Sequence, residues 1–283
     1  MVSPRISASS YSNTAPLVWS FLYGQNHGKV ELILDNAPAR SAEMLALGRV
    51  DAALVPVIAC QTIDNVRLIP DVCVGAREKV RSVCLVTNGQ DLDHVKTVSL
   101  DVSSKTSVIL TKIVFREFLG FEPVWRDAEP ELATMLAASD AALIIGDPAL
   151  ALSSPPYEGG VAASTSFVGA DGVVLSSQRQ AFDLAELWHQ HTGLGFVFAM
   201  WMTHRETCEI DFAMARDEGL GHIDEIAANY ASETGLSRDE MKRYLTENIS
   251  YSIDDSMQRG MQLYFELAEK HGLIPTNRPL NFL

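Results

Sequence analysis

The sequence predicts an α/β fold in two lobes. Three observations carry that expectation. Strand and helix signals alternate over residues 5–57, they alternate again over residues 97–145, and the chain after Arg205 is helical and rich in acid. Such alternation implies parallel strands joined by right-handed helical crossovers.

The first alternation opens with a short strand at residues 5–8. The spacing of Leu17, Phe21 and Leu22 predicts a helix from Asn13 to about Tyr23, with Pro16 tolerable in its first turn. Residues 30–34 form the second strand, and Ser41 is expected to cap a helix through Met44, Leu45 and Leu47 that Gly48 ends. Residues 51–57 are a third strand, apolar enough to be buried on both faces. Residues 82–87 read as another strand, and Asn88-Gly89 with the polar stretch to Lys96 as a break.

The second alternation runs strand 97–102, helix 107–119, strand 123–126, helix 131–138 and strand 141–145. The Ser-, Pro- and Gly-rich residues 153–160 read as a surface loop. A helix over 182–192 is followed by Gly193 and Gly195, then by the apolar strand 196–201. Segments 206–219, 222–235, 237–248 and 253–271 each carry a 3.6-residue apolar stripe. The expected lobes are residues 1–87 plus 199–283, and residues 88–198, joined by chain crossings near Thr87 and residues 196–201. A ligand cleft is expected between them.

The composition, 47% hydrophobic and 20% charged over 283 residues, is that of an ordinary globular protein large enough for two medium domains. The formal net charge of −14 argues against nucleic acid and anionic membranes as partners. A small anionic ligand would have to be held by short-range donors, because screening removes most of the far field beyond roughly 8–10 Å. The N-terminus shows no basic stretch followed by an apolar run, so no secretory leader is expected. No apolar run reaches the ~18 residues of a membrane span. Cys60, Cys73, Cys84 and Cys208 show no C-x-x-C spacing and read as reduced thiols of a cytoplasmic protein.

Two polar helix mouths stand out. Ser103-Ser104-Lys105-Thr106-Ser107 follows a strand and opens a helix, where unpaired N–H groups and the positive dipole end suit a carboxylate or phosphate. Ser103, Ser104, Thr106 and Ser107 thus read either as a cap or as an anion cradle, and an ordinary cap needs one hydroxyl rather than four. The second mouth, Asn13-Thr14 after the first strand, supplies an amide and a hydroxyl, or a plain Asn cap. Ser82 opens a strand at the expected crossing, a place where serine is usually structural. Gly146-Asp147-Pro148 ends a buried strand, with Asp147 held extended by the following proline at the strand edge where α/β sites lie, or capping a short helix. Phosphate-loop, dinucleotide, zinc-protease and serine-hydrolase motifs are absent. His189 and His191 lie two apart on a helix and share no face, so no metal or cofactor is expected.

With these residues laid out, the whole chain resembles the chorismate dehydratase family of the futalosine route to menaquinone. The family's signatures appear as Ser10-Tyr11-Ser12-Asn13-Thr14-Ala15-Pro16-Leu17, Arg81-Ser82-Val83-Cys84-Leu85, the Ser103 to Ser107 mouth, Ile145-Gly146-Asp147, the run from Thr192 to Trp201, Asn248-Ile249-Ser250-Tyr251 and Gly272-Leu273-Ile274. Ser12 stands where leucine is common, Ala15 where a basic residue is common, and Gly195 where proline is common.

The resemblance implies a two-lobed fold like that of type II periplasmic binding proteins in a cytoplasmic enzyme. The implied reaction is a carbon–oxygen lyase step that takes water from chorismate to give 3-[(1-carboxyvinyl)oxy]benzoate. It also implies Asn13 and Ser82 as catalytic residues, with Thr14, the α-helix mouth at Ser103, Ser104, Thr106 and Ser107, and Gly146 and Asp147 as substrate-binding positions. The competing expectation is a non-catalytic cytoplasmic binding protein for a small carboxylate on the same fold. A related lyase acting later in that route opens with a Ser-Pro-Cys-Pro-Asn-Asp type signature, which this chain lacks.

Overall fold

The computed structural model describes residues 3–152 and 179–283; the loop expected at 153–160 lies outside them. Among the described residues, ten strands form two five-stranded sheets. The first alternation gives β1 (Arg5–Ser9), a 3₁₀ turn over Ser12–Thr14 leading into α1 (Ala15–Leu22), β2 (Glu31–Asp35), α2 (Pro38–Ala46), β3 (Ala52–Pro56), the short α3 (Ala59–Thr62) and β4 (Arg67–Ala76). The second gives β5 (Val83–Thr87), β6 (Thr97–Asp101), α4 (Lys105–Ile113), β7 (Val124–Ala128), α5 (Leu132–Ala138), β8 (Ala141–Ile145) and α6 (Asp147–Leu152). After it come β9 (Gln180–Asp183), α7 (Leu184–Thr192) and β10 (Phe196–Thr203), then α8 (Phe212–Leu220), α9 (Ile223–Thr234), α10 (Arg238–Arg243) and α11 (Asp255–Lys270).

The sheet orders are β2-β1-β3-β10-β4 and β7-β6-β8-β5-β9. They are the same topology twice. In each, a first strand pairs in parallel with the next strand on one side and the one after it on the other, and an antiparallel strand follows. Strand order therefore reverses beside β1 in one sheet and beside β6 in the other, and such switch points open a crevice at the strand C-termini. The two polar mouths, after β1 and after β6, both stand at switch points.

Strands β3, β5 and β8 are buried along their whole length, as their apolar runs require. Because successive side chains alternate faces, Leu85, Leu143 and Ile145 join the main core while Cys84, Val86, Ala142 and Ile144 form a second cluster with Met135 on the other face. The main core continues through Phe21, Trp201 and Phe212, whose rings meet edge to face, with Phe21 to Trp201 at 6.3 Å and Phe21 to Phe212 at 5.9 Å. No helix among the described residues is long and apolar enough to cross a membrane.

The structure moves the crossings. Residues 83–87, expected in the first lobe, pair as β5 with β8 and β9 in the second sheet, and β10 lies wholly in the first sheet between β3 and β4. The chain thus changes sheet before Ser82 rather than after Thr87. The buried Asp183 carboxylate holds that crossing by accepting from the N–H groups of Val80 and Arg81 while capping α7 through Ala185 and Glu186. Ser41 is also corrected: Pro38 starts α2, and Ser41 is an interior residue whose hydroxyl meets that of Ser7 at 2.8 Å.

The return crossing is pinned by Gly195. Its N–H donates to Ser256 at 3.0 Å, and its carbonyl accepts from the Trp188 indole at 3.2 Å. A Cβ on Gly260 of α11 would lie 1.9 Å from that carbonyl oxygen. Gly260→Ala is therefore expected to destabilise the protein by about 2–3 kcal/mol through overpacking against backbone that cannot yield, read as a lowered midpoint in urea unfolding.

Candidate active site

The two mouths meet. The Asp147 carboxylate, at the start of α6, accepts from the Ser12 N–H at 3.1 Å and from the Ser12 hydroxyl. The Ser103 carbonyl accepts from the Ala39 N–H at 3.2 Å, and the Tyr11 hydroxyl lies beside the Ser103 side chain. Gly146 explains why such close approach is possible. Its φ is +69°, and a Cβ there would lie 2.7 Å from the Tyr11 ring. The Gly146 N–H donates to the Ser82 carbonyl at 2.8 Å, so the end of β8, the start of β5 and the mouth of α1 share one corner.

Asn13 and Ser82 both lie at that corner, beside Tyr244. Both are buried, and both side chains neighbour the hydroxyl of Tyr244, which is itself fully buried. The Ser82 hydroxyl makes one long contact to the Val80 carbonyl, 3.5 Å. Just before it, Arg81 adopts φ +63°, and the Ser82 N–H reaches back to the Val80 carbonyl at 2.8 Å in a three-residue turn. Left-handed backbone at a non-glycine residue costs about 1–3 kcal/mol and is concentrated at functional sites. The Arg81 charge also acts on Tyr244.

The remaining expected residues divide by what their side chains already do. Thr14 donates to the carbonyls of Ser9 at 2.6 Å and Tyr11 at 2.8 Å, so its hydroxyl proton braces the first mouth from within. Ser103 donates to Asp101 Oδ1 at 2.6 Å, with its N–H on the same oxygen at 2.8 Å. Thr106 Oγ1 accepts from the Ile58 N–H at 3.3 Å, and the Thr106 carbonyl accepts from the Tyr264 hydroxyl at 3.1 Å. Both contacts tie the two sheets together. Ser104 is the N-cap of α4, yet its hydroxyl makes no capping bond. Ser107 is buried in the first turn. The four hydroxyls of the mouth are thus not equivalent: those of Ser103 and Thr106 are bonded within the scaffold, and those of Ser104 and Ser107 make no hydrogen bond among the described residues.

Sequence reasoning passed over Asp101 and Tyr244. Asp101 is a charged residue ending a buried strand, the same signal that singled out Asp147. It is fully buried, and its Oδ2 has no hydrogen-bond partner among the described residues. Burial raises its carboxyl above the usual range, against the lowering effect of the two Ser103 bonds. Burial likewise raises Asp147, with Glu233 adding to the effect and the Ser12 bonds opposing it. Tyr11 is pushed up to about 12 by burial and then by Asp101 and Asp147. The corner offers neutral amide, hydroxyl and backbone donors beside two carboxyl groups that burial raises above the usual range. The surface hollows lined by Asn88, Thr97 and Ser139, and by Cys60, Asp64 and Arg278, contain none of the expected site residues.

The chain as a whole resembles known proteins. A family model described as menaquinone biosynthesis matches residues 4–270. A chorismate dehydratase of Thermus thermophilus is 32% identical over 266 residues, covering 90% of this chain and 92% of that protein. Among solved structures, protein AF1704 of Archaeoglobus fulgidus superposes with a TM-score of 0.66 at 16% identity, covering 96% of this chain and 98% of that one. The periplasmic aliphatic sulphonate binding protein SsuA of Escherichia coli gives 0.60 at 14% identity, covering 99% and 94%. At such identities the structural likeness concerns the fold, which is the expected periplasmic-binding-protein fold.

The buried Asp101 carboxyl gives a test of the electrostatics. Its raised value means that the native state holds this proton more tightly than the unfolded chain does. Stability is therefore lost as pH rises from the unfolded value of ~3.9 through the higher native one. Asp101→Asn keeps the Oδ1 acceptor for Ser103 and removes the charge. The variant is expected to be more stable than the parent at pH 7, with the difference vanishing as pH falls below ~3.9, measured by urea unfolding across that range.

Proposed function

The chain belongs to the menaquinone-biosynthesis family, and on that premise we propose that it is a chorismate dehydratase, a hydro-lyase converting chorismate to 3-[(1-carboxyvinyl)oxy]benzoate and water in the cytoplasm. The observation that carries the reading is the meeting of Asn13 and Ser82, from different sheets, at a corner rich in neutral donors.

Chorismate carries a ring carboxylate, an enolpyruvyl ether at C3 and a hydroxyl at C4. Loss of the C3 proton and the C4 hydroxyl leaves a benzene ring, so the step is strongly downhill. The enzyme's task is to position groups and to help move one proton. The substrate's enolpyruvyl carboxylate takes the C3 proton, the C4–O bond breaks, and the hydroxyl leaves as water with that proton. Asn13 and Ser82 orient the carboxylate and the leaving hydroxyl. Ser104, Ser107 and the first N–H groups of α4 hold the ring carboxylate and stabilise charge that spreads onto it.

Two features favour the substrate, rather than a side chain, as the base. The Asp147 carboxylate is already engaged by the Ser12 N–H and hydroxyl. Asp101 has one oxygen committed to Ser103 and is fully buried.

Purified protein incubated with chorismate is expected to yield the aromatic enol ether, followed by absorbance and mass spectrometry. Binding without conversion would instead make the protein a carboxylate-binding module. Asn13→Ala and Ser82→Ala are each expected to lower kcat about 10²-fold with little change in KM, the loss typical of one preorganised donor. Asp147→Asn is expected to retain measurable turnover; complete loss with the fold intact would make Asp147 the base.

A further inference from the structure

Helix α10 ends at Arg243, and the chain continues as a π-helical segment over Tyr244–Asn248. Wider turns of this kind recur at functional sites. Tyr244 is the first residue of this one. Its ring is among the largest fully buried side chains of the protein, so it has packing enough to hold it still.

Its hydroxyl is a different matter. That oxygen is buried and makes no hydrogen bond of ordinary geometry among the described residues. A buried polar group left unpaired costs about 1–3 kcal/mol. A phenylalanine would fill the same space without that cost. The polar side chains that the hydroxyl neighbours are those of Ser82 and Asn13. The hydroxyl of Ser82 has only the long 3.5 Å contact to Val80 among its hydrogen bonds to the described residues. Asn13 sits on a single 3₁₀ turn that Thr14, not Asn13, braces.

A tyrosine hydroxyl can accept one hydrogen bond and donate another. We propose that Tyr244 is a positioning residue: it accepts from the Ser82 hydroxyl and donates to the Asn13 carbonyl oxygen, turning the Asn13 NH₂ toward the ligand. This deepens the functional reading above and rests on it for its kinetic consequence, but the geometric part concerns the free protein alone. Tyr244 acts through Asn13 and Ser82 and does not itself touch the reacting atoms.

Tyr244→Phe in the full chain tests this. The melting temperature is expected to fall by no more than a few degrees, since the ring keeps its packing and only the bonds of the hydroxyl are lost. With chorismate, kcat is expected to fall about 10- to 100-fold while KM changes less than about threefold. Adding Tyr244→Phe to Ser82→Ala should cost much less than it does in the parent, because residues acting as a unit are not additive. In the free protein, the Asn13 side-chain amide resonances, assigned by their loss in Asn13→Ala, are expected to move, since the substitution keeps the ring and removes only the hydroxyl. Unmoved amide resonances overturn the proposal, and so does a kcat within twofold of the parent. If the parent protein fails to convert chorismate, the functional reading falls, and the amide resonances still decide the role of Tyr244.

Discussion

The Ser12 N–H and hydroxyl both donate to the Asp147 carboxylate, and that contact fixes where the two sheet edges meet. Ser12 precedes Asn13 in the chain. Asp147 follows Gly146, whose N–H is bonded to the Ser82 carbonyl. One interaction between sheets therefore carries Asn13 and Ser82, nearly seventy residues apart, to the same corner. It works because Gly146 lets the Tyr11 ring lie flush against its backbone. It also engages both oxygens of the Asp147 carboxylate.

The charge of the protein sharpens the role of that corner. At −14 the far field repels a dianion, and Asp35, Asp101 and Asp147 all act on Tyr11 at the site itself. Burial raises the carboxyl groups of both Asp101 and Asp147 above the usual carboxylate range. What is left to attract a carboxylate is short-ranged: helix N–H groups, hydroxyls and an amide, all of which screening by salt leaves largely untouched. Arg81, in its strained turn, is the cation whose charge reaches Tyr244.

Much of this was legible in the sequence because the relevant signals are local. The alternations over residues 5–57 and 97–145 follow from apolar periodicity, and the two mouths from hydroxyls standing between a strand and a helix. Other parts were hidden for identifiable reasons. Pro70 and Asp71 interrupt the run that becomes β4, and the structure absorbs them as an irregularity in the pairing with β10, with Asp71 at φ +59°. Ser41 looked like a cap because Pro38, three residues earlier, is a subtler start signal. At the mouth of α4, spacing could not tell Ser103 and Thr106, which bond to Asp101 and Ile58, from Ser104, which caps nothing. Tyr244 sits in an apolar stripe where its ring belongs to the core; only the third dimension reveals where its hydroxyl ends up.

The duplicated topology is not duplicated in chain order, and this has a consequence for synthesis on the ribosome. All five strands of the second sheet come from residues 83–183, one continuous stretch. The first sheet has β1 to β4 by residue 76 but takes β10, residues 196–203, into the gap between β3 and β4. During translation its first four strands must wait, with the position between β3 and β4 unfilled, until the whole of the other sheet has emerged. Closing that long loop costs chain entropy that grows only slowly with its length, so the delay is one of timing more than of stability. The sheet that begins first is completed last.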